Sequence, residues 1–214
     1  MDFLSGIISL IILIYSAILH EIAHGFVADR LGDPTARLAG RLSLNPKKHI
    51  DPFMSVLLPL LLIFSGSPVI FGAAKPVPID PFNLKEGRKD IALVALSGPL
   101  TNIVIAVLGS FALKLLIFLP LEGSQFFYFS SFLLEHIITI NLLLAIFNLL
   151  PIPPLDGSKV FALLLPAKQA PVFLSLGSIG FFIIFFLLLF PVGGFSLGSV
   201  IFTLVRFSAK LLGL

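Results

Sequence analysis

Apolar positions gather in six runs, at about 3–28, 53–71, 91–119, 131–150, 172–192 and 195–213, here called A to F. A bilayer-crossing helix needs about 20 such residues, and short polar stretches separate the runs. The pattern predicts an all-α polytopic membrane protein. Counted directly it gives six transmembrane helices. Charge and connectivity favour five transmembrane helices plus a membrane re-entrant hairpin made by run B, and six remains the alternative.

Run B is broken locally. Pro59 interrupts it, Ser65-Gly66-Ser67-Pro68 reads as a turn, and Lys75-Pro76-Val77-Pro78 favours extended backbone. If B does not cross, Arg30, Arg37, Arg41, Lys47, Lys48, Lys75, Lys85, Arg88 and Lys89 share one side with Lys159, Lys168, Arg206 and Lys210. That side then holds 13 of the 14 basic residues, only Lys114 lying elsewhere. The positive-inside bias makes it cytosolic and places the N-terminus outside. Run A opens with Asp2 and no basic residue, and it continues into polar chemistry, so it reads as an uncleaved span.

Composition agrees with this class. The chain of 214 residues is 57% hydrophobic and 12% charged, with a mean hydropathy of +1.11. It has no cysteine, which excludes disulfides, thiolate metal sites and cysteine nucleophiles. The formal charge of +3 lies in loops between apolar runs, so it marks topology and does not point to nucleic acid. There is no internal repeat or low-complexity linker, and residues 1–214 read as a single integral-membrane domain with a core at 3–160 and accessory helices at 172–213.

Within run A lies His20-Glu21-Ile22-Ala23-His24. On a helix, residues four apart share a face, so both imidazoles can reach one Zn²⁺, and Glu21 stands beside them as a candidate general base. Ionisable groups facing hydrocarbon are costly without a purpose. Two histidines leave the site one protein ligand short, and the strongest candidate is Asp156. It follows run D in Asn148-Leu149-Leu150-Pro151-Ile152-Pro153-Pro154-Leu155-Asp156-Gly157. The prolines end the helix, and Gly157 permits a turn aiming the carboxylate back. Alone, Leu-Asp-Gly after prolines is a turn; beside an intramembrane H-E-x-x-H it reads as a ligand. For Asp156 to meet the histidines, A and D must run parallel. An odd number of crossings must then separate them, and C alone provides it. With B crossing as well, Asp156 would sit roughly a bilayer's ~30 Å away.

His20 to Gly25 together with Asn148 to Gly157 resembles the site-2 protease family of intramembrane zinc metalloproteases. Arg30 to Pro52, Lys75 to Pro78 and Ser97 to Asn102 strengthen the likeness to its compact branch, which lacks PDZ and CBS domains. The resemblance implies one Zn²⁺ per chain, with His20, His24 and Asp156 as ligands and Glu21 as catalytic base. It implies that Asn148 holds unwound substrate, and that Asn102, in Gly98-Pro99-Leu100-Thr101-Asn102, belongs to the substrate-binding surroundings. The piece around Val69 to Pro78 corresponds to a re-entrant edge that would pair with the unwound strand. The implied partners are single-span membrane proteins and the lipid bilayer. The expected location is a prokaryotic cell (inner) membrane, with the active site toward the cytosol.

The competing readings are a catalytically silent metal-binding chaperone or adaptor, and a zinc transporter. A pure binder has no need of a base beside its ligands, and a transport path wants polar groups at several depths. His49 and Asp51 read as a turn before Pro52. Glu135 and His136 read as a boundary pair, and Asn141 as an interhelical hydrogen bonder without a catalytic part.

Overall fold

The computed structural model describes residues 3–49, 51–65, 75–191, 193–194 and 196–214, and among them there are helices and loops but no strand. Helix α1 (Phe3–Leu31) is followed by the short α2 (Thr35–Leu38) and α3 (Leu58–Phe64). The long α4 (Arg88–Ile117) and α5 (Gln125–Asn148) come next. They lead to α6 (Asp156–Phe161), α7 (Gln169–Ser175), α8 (Gly177–Leu189) and α9 (Leu197–Leu211).

The long helices are inverted relative to those of a water-soluble bundle. On α1 the buried side carries Ser9, Ile12, Ser16, His20, His24 and Ala28, recurring every three or four residues. Ile11, Tyr15, Leu19 and Phe26 are exposed. Bulky apolar groups outward and small or polar groups inward is the arrangement lipid demands, since hydrocarbon rewards close packing and internal hydrogen bonds. Helix α4 buries Ala95, Gly98, Asn102, Ala106 and Gly109 along one stripe. These small residues let α4 pack against both α1 and α5. At Gly109 the approach is so close that a Cβ would lie 2.9 Å from Ile138 of α5.

Contacts across the three helices fix their directions. Asn102 of α4 meets both Ser16 and His20 of α1, while Val94, one end nearer, meets His24. Asn141 of α5 also meets Ser16, and Asp156, beyond the end of α5, meets His20 and His24. Helices α1 and α5 therefore run parallel with α4 antiparallel to both, as the ligand parity requires. Away from this level, Leu113, Ile138, Leu142, Ile184, Ile201 and Val205 form an apolar core joining α4, α5, α8 and α9.

Among the described residues three helices, α1, α4 and α5, are long and apolar enough to cross a membrane, and a fourth span exists if the bent pair α7–α8, angled by 56°, is one. Two of the apolar runs form no helix of crossing length among the described residues. Run F yields the 15 residues of α9, about 22 Å at 1.5 Å per residue. From run B, Pro52–Leu57 wind as a π-helical turn continuing into the seven residues of α3. The rest of run B, with the Gly66-Ser67-Pro68 turn expected there, lies outside the described residues, as does 69–74 of the expected edge.

Candidate metal centre

His20 and His24 stand one turn apart on α1, and Asp156 is the first residue of α6. The two imidazole Nε2 atoms are 3.0 Å apart, and Asp156 Oδ2 lies 3.1 Å from that of His20 and 3.0 Å from that of His24. All three residues are buried. Gly157 aids this convergence through proximity, since a Cβ there would sit 2.2 Å from the Leu149 carbonyl oxygen. It is helical and not in the left-handed region, so the role is close return of the chain onto the end of α5 and not an unusual turn.

The far side of each ring decides where its proton sits. His20 Nδ1 lies 2.6 Å from Asn102 Oδ1, and His24 Nδ1 lies 2.7 Å from the Val94 carbonyl oxygen. Both oxygens accept, so each neutral ring carries its proton on Nδ1 and presents a bare lone pair at Nε2. Two lone pairs and a carboxylate oxygen then face one another at 3.0–3.1 Å, an arrangement that repels unless a cation lies among them. Ligands of a tetrahedral Zn²⁺ at ~2.0–2.1 Å are spaced ~3.3 Å apart. Spacing and chemistry both suit a zinc ion.

A polar chain behind His20 holds this orientation. Asn102 Nδ2 donates to Asn141 Oδ1 at 2.8 Å, and Asn141 Nδ2 donates to Ser16 Oγ at 2.9 Å and to the Ile137 carbonyl at 2.8 Å. Asn102 and Asn141 are each 0% exposed. Asn102, expected in the substrate-binding surroundings, has no accessible surface here and both ends of its amide are engaged, its oxygen on the His20 ring. Asn141 joins the same chain. Such partners of ligating histidines are worth ~10–100-fold in metal affinity. On the other side, Asp156 Oδ1 accepts from Lys159 Nζ at 3.0 Å, which leaves Oδ2 for the histidines.

Glu21 is half-buried, and its Oε2 accepts a 2.8 Å hydrogen bond from the Val77 N–H. In Lys75–Pro78, the Lys75 N–H donates to the His49 carbonyl at 2.8 Å, the Val77 N–H is engaged by Glu21, and the two prolines have none. This part of the expected edge therefore offers no free N–H to a second strand. Asn148 is half-buried and donates to the Leu144 carbonyl of its own helix at 2.9 Å. His136 stands apart from the triad, its Nδ1 2.8 Å from the Phe132 carbonyl oxygen.

Two loop residues matter more than their sequence context suggests. His49 is buried, with Nε2 2.8 Å from the Ser43 carbonyl; burial, aided by the Arg41 charge, holds its imidazole below the ordinary value. Asp33 is fully buried just past α1. It accepts from the hydroxyl and N–H of Thr35, from Asn83 Nδ2 at 3.0 Å and from the Asp80 N–H at 2.7 Å. Burial pushes its carboxyl up, but these four bonds outweigh that and hold it below the usual carboxylate range. Asp33 thus clips the end of α1 to the 80–83 turn. An aspartate before Pro-Thr gave no hint of this beyond a local turn.

Comparison with known proteins places the chain. It is 37% identical over 191 residues to the "Putative zinc metalloprotease YwhC" of Bacillus subtilis (strain 168), covering 87% of this chain and 82% of that protein. The family model for "Peptidase family M50" matches residues 122–191. The chain belongs to peptidase family M50, the site-2 protease family. This M50 member is also 36% identical over 144 residues to the "Putative zinc metalloprotease Rip2" of Mycobacterium tuberculosis (strain H37Rv), covering 66% of this chain but about half, 51%, of that protein. It is 35% identical over 154 residues to the "Putative zinc metalloprotease MJ0611" of Methanocaldococcus jannaschii, covering 72% of this chain and 69% of that protein. No solved structure matches. The family and its apolar helices make the chain an integral membrane metalloprotease homologue with a His-His-Asp group suited to zinc.

Proposed function

We propose that this chain is an intramembrane metalloprotease that binds one Zn²⁺ through His20, His24 and Asp156 and hydrolyses peptide bonds within transmembrane segments of single-span membrane proteins. The observation that carries the reading is the convergence of two imidazole Nε2 atoms and a carboxylate oxygen between membrane-length helices, with Glu21 adjoining them.

Zinc, when bound, supplies Lewis acidity that polarises a scissile carbonyl and acidifies a water. Glu21 takes the proton of the attacking water and returns it to the leaving amine. The Val77 N–H bond at 2.8 Å steadies one carboxylate oxygen. Asn102 and the Val94 carbonyl keep both rings in the tautomer that leaves Nε2 free. A helical substrate hides its carbonyls in hydrogen bonds and must unwind to be attacked. Asn148 is proposed to hold that unwound backbone. The proposed setting is a prokaryotic cell (inner) membrane, with five spans, run B re-entrant, and the basic loops and site toward the cytosol.

The test is cleavage, by the purified chain in detergent, of a single-span protein whose apolar segment has a helix-weakening Gly/Asn centre, with products mapped by mass spectrometry. Wild type should cut inside the apolar segment. Glu21→Gln should lower the rate by at least ~10²-fold while keeping zinc, and chelation should abolish cutting. Several unrelated spans left intact by a zinc-loaded wild type would point to a binding protein and against this reading.

A further inference from the structure

We propose that Arg41 is a positioning residue for Glu21, acting through the extended segment Lys75–Val77; this rests on reading Glu21 as the base. Glu21 Oε2 is held by the Val77 N–H at 2.8 Å. That N–H stands between Pro76 and Pro78, so no neighbouring amide can take its place if the segment slips by one residue. Where Val77 sits therefore decides where the carboxylate points.

Neither a helix nor a ladder of strands fixes Val77. The segment is anchored from the loop that follows α2. Arg41 Nη2 donates to the Lys75 carbonyl at 2.7 Å and the Pro76 carbonyl at 3.1 Å. The His49 carbonyl, from the same loop, accepts the Lys75 N–H at 2.8 Å. His49 is itself buried and tied back to Ser43 at 2.8 Å, so the anchoring loop is braced. The packing beneath repeats the link. A Cβ on Gly25, one residue past His24, would meet Val77 Cγ1 at 2.9 Å and Leu42 Cδ2 at 2.8 Å. The loop, the segment and α1 thus press together at one point, one helical turn from Glu21.

Hydrogen bonds from one guanidinium to two successive carbonyls hold both the height and the rotation of the segment. Without them the backbone anchors left among the described residues are the Lys75 N–H bond, two residues before Val77, and the Asp33 clip at Asp80, three residues after it, so Val77 can shift between them and Glu21 loses its fixed partner. A displacement of about 1 Å in a catalytic group can cost ~10²-fold in rate. Arg41 Nε makes no hydrogen bond among the described residues. A lysine reaching the same carbonyls should therefore keep most of the function.

The experiment uses the full chain, with Arg41→Met, Arg41→Lys, Glu21→Ala and Glu21→Gln. Cleavage of the single-span test protein gives kcat and KM, and hydrogen exchange at the Val77 amide, read by NMR on ¹⁵N-valine protein, needs no substrate. Arg41→Met should lower kcat by ~10–100-fold with KM changed less than about threefold and zinc content unchanged. Arg41→Lys should recover most of kcat. Val77 exchange should quicken at least ~10-fold in both Arg41→Met and Glu21→Ala. Wild-type kcat in Arg41→Met, unchanged Val77 exchange, or a joint loss of zinc, stability and kcat not restored by lysine would each overturn the proposal. Retained cleavage in Glu21→Gln would instead remove the base assignment itself, a failure distinguishable because Val77 exchange is read independently.

Discussion

Replacing Gly98 by alanine adds one methyl group inside a helix, where the change ordinarily stabilises by about 1 kcal/mol. Here the sign should reverse. A Cβ at 98 would lie 2.6 Å from His20 Nε2 and 2.6 Å from both Nε2 and Cε1 of His24. To reach the 3.4 Å at which ordinary contact begins, the rings must retreat by about 0.8 Å. Neither is free to do so while keeping its partner, since His20 is held by Asn102 at 2.6 Å and His24 by Val94, on the same helix as Gly98, at 2.7 Å. Zinc ligands tolerate displacement of about ±0.2 Å, and forcing a methyl group into a packed interior costs ~1–3 kcal/mol. We expect Gly98→Ala to weaken zinc binding by ~100-fold, or about 2.7 kcal/mol. The assay is competition between the purified protein in detergent and a chromophoric chelator of known zinc affinity, with thermal unfolding of the metal-free forms alongside. Metal-free Gly98→Ala should melt a few degrees below wild type, because the rings can turn aside only by giving up Asn102 and Val94. A zinc affinity within about threefold of wild type would refute the reasoning, and with it the assignment of these Nε2 atoms to the metal.

Two further outcomes follow from the residues around the site. Asn102→Leu keeps the volume but leaves the His20 Nδ1–H without its acceptor, so zinc affinity in the same competition should fall ~10–100-fold; an unchanged affinity would mean that the Asn102–Asn141–Ser16 chain is only packing. Asp33 has a folded-state pKa below its unfolded value of ~3.9, so its stabilisation is fully present above that value and is lost as pH falls through the lower folded one. Melting temperature between pH 7 and pH 3 should therefore drop more steeply below pH ~4 in wild type than in Asp33→Asn, which should start lower at neutral pH. Parallel acid slopes would show that the clip does not act through its charge.

The helical class of the molecule, and the three residues that meet in its His-His-Asp group, could be read along the chain because each rests on local rules. Hydrocarbon demands long apolar helices, four-residue spacing puts two histidines on one helical face, and prolines end α5 just before an aspartate. Even the parallel course of α1 and α5 was legible, since only an odd number of crossings brings Asp156 to the histidines. What the chain could not announce were the partners supplied by other segments. Asn102 looked like substrate machinery, and only the packing of α4 against α1 across 82 positions shows its oxygen on the His20 ring. Gly157 looked like a turn residue, but its lack of a side chain, like that of Gly98, matters because a neighbour occupies the space. Run F has the apolar length of a span, but its helix ends at 15 residues. Arg41 and Val77, and in part Asp33, act through backbone groups, which every residue possesses and no sequence motif marks. Spacing along a helix is local geometry and survives in the sequence; the hydrogen bonds that aim His20, His24 and Glu21 join distant segments, and only tertiary packing decides them.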